Sequence, residues 1–192
     1  GYLDLAATSC VARVSNRSVA PWFARFRPGE LVLGDPGTRD TVMHALQCCV
    51  PDATLLPGAI ERLHLADAKV AATLDSVTIH ALERSREGDT YLYDVDVCDP
   101  DGNLVERWVG LRLHAVRKLD GSGPWLPALV GPYLERRVGA FLPTDLRVVV
   151  RPDDTQATEV ADRREQTRKA VSWALGGDAQ VRYRPDGKPE VT

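Results

Sequence analysis

Thr38-Arg-Asp-Thr-Val-Met-His-Ala-Leu-Gln-Cys-Cys-Val50 predicts a helix, entered through Asp35-Pro-Gly37 and stopped by Pro51. Val42, Leu46, Cys49 and Val50 fall at i, i+4, i+7 and i+8, an apolar stripe that must face a core. Asp40, His44 and Gln47 form a second row at i, i+4 and i+7. Side chains at that spacing are neighbours on a helix surface, so a carboxyl, an imidazole and a carboxamide share one line.

C-terminal to this helix the period changes to two. Tyr91, Tyr93, Val95 and Val97 alternate with Leu92, Asp94, Asp96 and Cys98, and Asp99-Pro-Asp-Gly-Asn103 supplies a turn. The chain returns over Val105 to Val116 with Val109, Leu111, Leu113 and Ala115 assigned to one face, completing an antiparallel hairpin. Lys69 to Leu82 is apolar enough for another strand or two, and Ile60 to Leu65 for one more. A helix followed by four or five antiparallel strands must bury its stripe on one face of the sheet, which is an α+β arrangement.

On either side the pattern weakens. Residues 1–36 read as an irregular interdomain segment, 37–119 as the helix and strands, and 120–140 as a linker with a short helix. The linker opens on Asp120-Gly-Ser-Gly-Pro-Trp-Leu-Pro127, turn chemistry without a sustained period. In the tail, 141–192, Leu146 to Val150 is a strand candidate, and Thr158 to Leu175 a helix closed by Gly176-Gly177. The tail holds nine basic and nine acidic residues, so the whole net charge of −3 lies in the first 140.

That small negative charge provides no field for a polyanion, which argues against nucleic acid. The 44% hydrophobic and 27% charged composition, over 192 residues, is that of a globular chain. Cys10, Cys48, Cys49 and Cys98 show no CxxC spacing and read as reduced thiols in a cytoplasmic protein. No signal-like segment opens the chain, and its longest uncharged stretch, Gly121 to Leu134, is broken by three prolines, so no membrane span is expected.

Leu33-Gly-Asp-Pro-Gly-Thr-Arg-Asp40 followed by His44 and Gln47, then Leu56-Pro57-Gly-Ala-Ile-Glu-Arg-Leu63, resembles the second half of a polyketide synthase dehydratase domain. Asp40 matches the family's helix carboxylate, His44 the residue four later, and Leu56-Pro57 the turn into the next strand; the likeness runs from about Trp22 to about Arg137. The resemblance implies a hot-dog fold, an antiparallel sheet wrapped around one long helix. It also implies removal of water from a β-hydroxyacyl thioester on an acyl carrier protein. Asp40 would be the general acid, His44 its orienting partner, and Gln47 and Pro57 would border the substrate tunnel. Because hydroxide leaves poorly, its proton must come from an acid held in an apolar surround, and that surround must outweigh the helix dipole, which favours the anion. No metal or redox cofactor is implied, the substrate riding on the carrier's phosphopantetheine arm.

The first-half motif of the family, His-x-x-x-Gly-x-x-x-x-Pro, is missing: Cys48, Ala68, Arg84 and Lys118 stand four residues after the four histidines. The general base is therefore expected from a first hot-dog half, upstream in a longer parent synthase whose other domains, and whose second copy in a homodimer, are the further partners. A non-catalytic scaffold or carrier-docking module, and a hot-dog thioesterase, are the competing readings. The tail segment Val181 to Val191, with Gly187-Lys188-Pro189 after the basic helix residues Arg163, Arg164, Arg168 and Lys169, resembles the beginning of a phosphopantetheinyl transferase, too short to act as one. That order of domains, with Arg17 to Pro28, resembles an enediyne-type iterative polyketide synthase. Taken by themselves, Asp40 reads as a dipole-stabilising acid, Gln47 as a surface or structural amide, and Tyr91, Tyr93 and Trp108 as core and cross-strand packing.

Overall fold

The computed structural model describes residues 1–15, 36–66, 74–119, 125–142, 146–150 and 159–191. Two compact units divide the chain, Gly1–Val148 and Val149–Thr192. In the first, strands β1 (Tyr2–Leu5) and β2 (Ser9–Ser15) precede helix α1 (Pro36–Gln47). After it come β3 (Ala53–Leu65), β4 (Ser76–Glu87), β5 (Thr90–Cys98), β6 (Leu104–Lys118) and helix α2 (Pro127–Gly139). The strands make one antiparallel sheet in the order β1-β2-β4-β5-β6-β3.

Burial explains the layering. Cys10, Ala12 and Val14 of β2, Val77, Ile79 and Ala81 of β4, and Tyr91, Tyr93, Val95 and Val97 of β5 all point to one side of the sheet. Val42, Leu46, Cys49 and Val50, none more than 1% exposed, meet them there and join one core cluster. The helix lies against one face of the antiparallel sheet, the α+β arrangement expected from the change of period and the hot-dog fold that the resemblance implies.

Three expectations are corrected. Residues 1–36 are not wholly irregular, since β1 and β2 occupy 2–5 and 9–15; β2 alternates as a strand should, but its inward residues are small and the apolar contrast is weak. In β6 Val109, assigned to the inner face, is only half-buried, while Trp108, 3% exposed, faces the core as its packing reading implied. The pairing slips between Tyr93 and Val95, Gly110 adopts φ +64° and gives its N–H to Asp94 Oδ1 at 2.8 Å, and this bulge reverses the alternation halfway along the strand. Leu146 to Val150 forms no strand; the Val148 N–H donates to Glu135 Oε1 at 2.8 Å instead.

The 120–140 stretch is more than a linker, because α2 docks through its paired charges. Arg136 Nε donates to the Cys49 carbonyl at 2.7 Å, and its Nη2 reaches the Ala7 carbonyl, Glu83 Oε2 (2.5 Å) and the Tyr93 hydroxyl (3.0 Å). Glu135 Oε2 accepts the Ala7 N–H at 2.7 Å.

The second unit carries α3 (Val160–Ala174), ended by Gly176 at φ +68°, and the hairpin β7 (Val181–Tyr183) and β8 (Pro189–Val191). Arg164 lies over the Tyr183 ring at 4.7 Å. Of the Lys69 to Leu82 run, the part from Ser76 lies in β4 and residues 69–73 lie outside the described residues, as does the Arg17 to Pro28 segment. Among the described residues no helix is long and apolar enough to cross a membrane.

Candidate active site on helix α1

The helix presents two faces set by its sequence. Val42, Ala45 and Leu46 are buried against the sheet. Asp40 and His44 stand on the opposite side, where His44 Nε2 lies 3.4 Å from Asp40 Oδ2, with side chains 74% and 66% exposed. The spacing thus brings the imidazole and the carboxyl together as the row implies, but the described residues do not enclose them in an apolar surround. Asp40 is the fifth residue of α1, beyond its first turn, so the helix dipole acts on it more weakly than on a terminal acid.

His44 also lines an open groove of about 440 Å³ between α1 and the first strands, with Thr41, Ala45, Tyr2, Ala12 and Val14 around it. The Tyr2 hydroxyl donates to the Ala45 carbonyl at 2.7 Å, tying β1 to the helix at this groove. One wall is apolar; Thr41 and His44 provide hydrogen-bonding groups.

The Gln47 carboxamide is engaged by backbone groups of the chain that follows the helix. Its Nε2 donates to the carbonyls of Val50 (3.1 Å) and Ala53 (2.5 Å), and its Oε1 accepts the Leu55 N–H at 2.8 Å. Both amide hydrogens and the oxygen are thereby spent on the connection from α1 to β3. Pro57 is no turn residue either: it sits exposed within β3, an outermost strand, at a register slip between Pro57 and Ala59. A residue without an N–H is tolerated at such an edge bulge.

Sequence reasoning missed the pair Arg39 and Glu106. The guanidinium grips the carboxylate through Nε (3.2 Å) and Nη2 (2.9 Å), and Trp108 Nε1 donates to the same group at 2.9 Å. A signal was present, since Arg39 stands three residues before Val42 and Glu106 two before Trp108, both on apolar faces.

The cysteines are free thiols. Hydrogen bonding with Cys10, and then burial, push the Cys49 thiol up, away from the thiolate a nucleophile requires. Among the described residues no group of three His, Cys, Asp or Glu side chains is disposed to hold a metal ion.

An antiparallel sheet around a helix that displays an acid and an imidazole defines a hot-dog protein with a candidate acid–base pair. Residues 4–122 match the family described as the polyketide synthase dehydratase N-terminal domain, and the chain belongs to that family. No curated protein matches it. Among solved structures it is similar to AziG of S. sahachiroi, at 20% identity over 61% of this chain and 90% of that one, with a TM-score of 0.42. A hypothetical thioesterase of Streptococcus pneumoniae, solved with coenzyme A, aligns at 12% identity over 62% and 88%, with a TM-score of 0.44. The PaaI protein of E. coli, from the phenylacetic acid degradation operon, aligns at 11% over 58% and 75%, with a TM-score of 0.40.

Proposed function

We propose that this chain supplies one hot-dog half of a dehydratase that removes water from a β-hydroxyacyl thioester carried by an acyl carrier protein within a polyketide synthase. The observation that carries the reading is the Asp40–His44 contact on the outward face of α1, in a chain that belongs to the dehydratase family. In this reading the protonated Asp40 carboxyl delivers its proton to the departing hydroxyl as the carbon–oxygen bond breaks. His44 holds the carboxyl in position, and Asp40, left as the carboxylate, is reprotonated from solvent once the base has released the α-proton to it. A base outside the chain removes the α-proton, and the exposure of Asp40 fits a site completed by a second half that closes over the helix.

The matched family description names the N-terminal domain, whereas Asp40-x-x-x-His44 with Leu56-Pro57 is similar to the second half. We assign the second half, and the codons preceding Gly1 test it: a His-x-x-x-Gly-x-x-x-x-Pro motif there is expected. The enediyne type, and a transferase-like beginning in residues 141–192, belong to the same proposal and rest on the segments already quoted.

The decisive experiment loads a β-hydroxyacyl group on the carrier protein and follows loss of one water by mass spectrometry in the full-length protein. Asp40→Asn should lower the rate by about 10²–10⁴-fold, the range general acid catalysis contributes. Unchanged turnover overturns the assignment. Release of free acid without an enoyl product identifies a thioesterase instead.

A further inference from the structure

The first turn of α1, Pro36-Gly-Thr-Arg39, opens with a proline suited to that place, but its Gly and Thr have low helix propensity and none of its four residues is an acid that would stabilise the dipole. Helix ends fray where nothing holds them. Asp40 follows directly, and its contact with His44 exists only while the i to i+4 geometry of the next turn, residues 40–44, is kept.

Arg39 continues the buried stripe toward that end, at three residues before Val42 and seven before Leu46. With about 100° of rotation per residue, its side chain runs to the sheet while Asp40 turns outward. On the sheet it meets Glu106, only 8% exposed, whose oxygens are shared between the two prongs of the guanidinium and the indole of Trp108. Such a fork fixes direction as well as distance, which a single ammonium does not. Thr41 Oγ1, donating to the Gly37 carbonyl at 2.9 Å, adds a second local tie.

We infer that the Arg39–Glu106–Trp108 network is the positioning device of the site: it anchors the first turn of α1 to β6 and so holds Asp40 in register with His44 and with substrate. The inference rests on the dehydratase reading for its catalytic consequence. Arg39 touches neither substrate nor the reacting atoms and acts through the residue beside it.

The test uses the full-length protein with Arg39→Gln, Arg39→Lys and Trp108→Phe, measuring kcat and KM for dehydration and backbone amide exchange over residues 39–44. Arg39→Gln should lower kcat by about tenfold or more, as small misplacements of a catalytic group do, with KM nearly unchanged and exchange faster in that turn alone. Arg39→Lys keeps the charge without the fork, and should recover stability more completely than kcat. If Arg39→Gln does not fold, Trp108→Phe carries the test, since it removes one donor and keeps an aromatic ring; a kcat loss of about threefold with KM unchanged is expected there. Wild-type kcat and wild-type exchange in the folded variants overturn the proposal, as does a loss spread equally over kcat, KM and global stability. Should Asp40→Asn leave turnover intact, the dehydratase reading fails, and amide exchange still decides whether the network holds the turn.

Discussion

Gln47 shows how far residue type and spacing carry. Its place in the row with Asp40 and His44 made it a tunnel candidate, yet the carboxamide is consumed by three backbone groups after the helix. Gln47→Ala strands the Leu55 N–H and two carbonyls, and should cost about 1–3 kcal/mol, seen as a lower midpoint in urea. Activity per folded molecule should stay near wild type; a selective loss of kcat would return Gln47 to the site. The Asp40–His44 pair was legible because it depends only on helical geometry, whereas the Arg39–Glu106 pair joins residues 67 positions apart that only the folded sheet brings together.

At the scale of elements, α1 and the β5–β6 hairpin were readable because each announces itself by a local period. Two of the corrections have plain physical origins: β2 turns small Cys and Ala residues inward, and the bulge at Gly110 shifts β6 by one residue, moving Val109 off the inner face. At φ +64° a Cβ is strained, and in this place it would also meet the Glu61 carboxylate. Gly110→Ala should therefore cost about 1–2 kcal/mol from backbone conformation, with the flexible Glu61 side chain moving aside; a stability equal to wild type would show that the bulge relaxes. The hairpin turn has a pH signature of its own. The Asn103 side-chain amide (2.9 Å) and the backbone N–H groups of Asn103 (2.8 Å) and Asp101 (2.9 Å) hold the Asp99 carboxylate below its ordinary range. A depressed acid stabilises the folded form above its unfolded pKa and loses that contribution as pH falls through the folded value. The turn should thus be supported at neutral pH and weaken below about pH 4. Amide exchange of residues 100–103 against pH checks this, and Asp99→Asn should flatten the response.

Across the whole molecule, the boundary of the first unit lies at Val148, well beyond the 119 that periodicity suggested, because a buried ion pair recruits α2. Arg136 and Glu83 are each 7% exposed, and the guanidinium also caps the carbonyls of Cys49 and Ala7, from the α1–β3 and β1–β2 connections. Nothing in the 120–140 composition distinguishes such a clamp from a solvated helix end, since its partners are supplied by three distant segments. Desolvating two charges is costly, and the pair is sustained here by the hydrogen bonds that complete each ion. Removing one partner leaves the other buried and unpaired, so Arg136→Met should destabilise the first unit by about 3–5 kcal/mol, while Arg136→Met with Glu83→Leu should recover much of that loss. The two denaturation midpoints, with amide exchange over β1, the α1–β3 connection and α2, distinguish a clamp from a surface contact. A single variant within about 0.5 kcal/mol of wild type, the range of surface substitutions, would return α2 to the status of a linker helix and put the domain boundary back near residue 119.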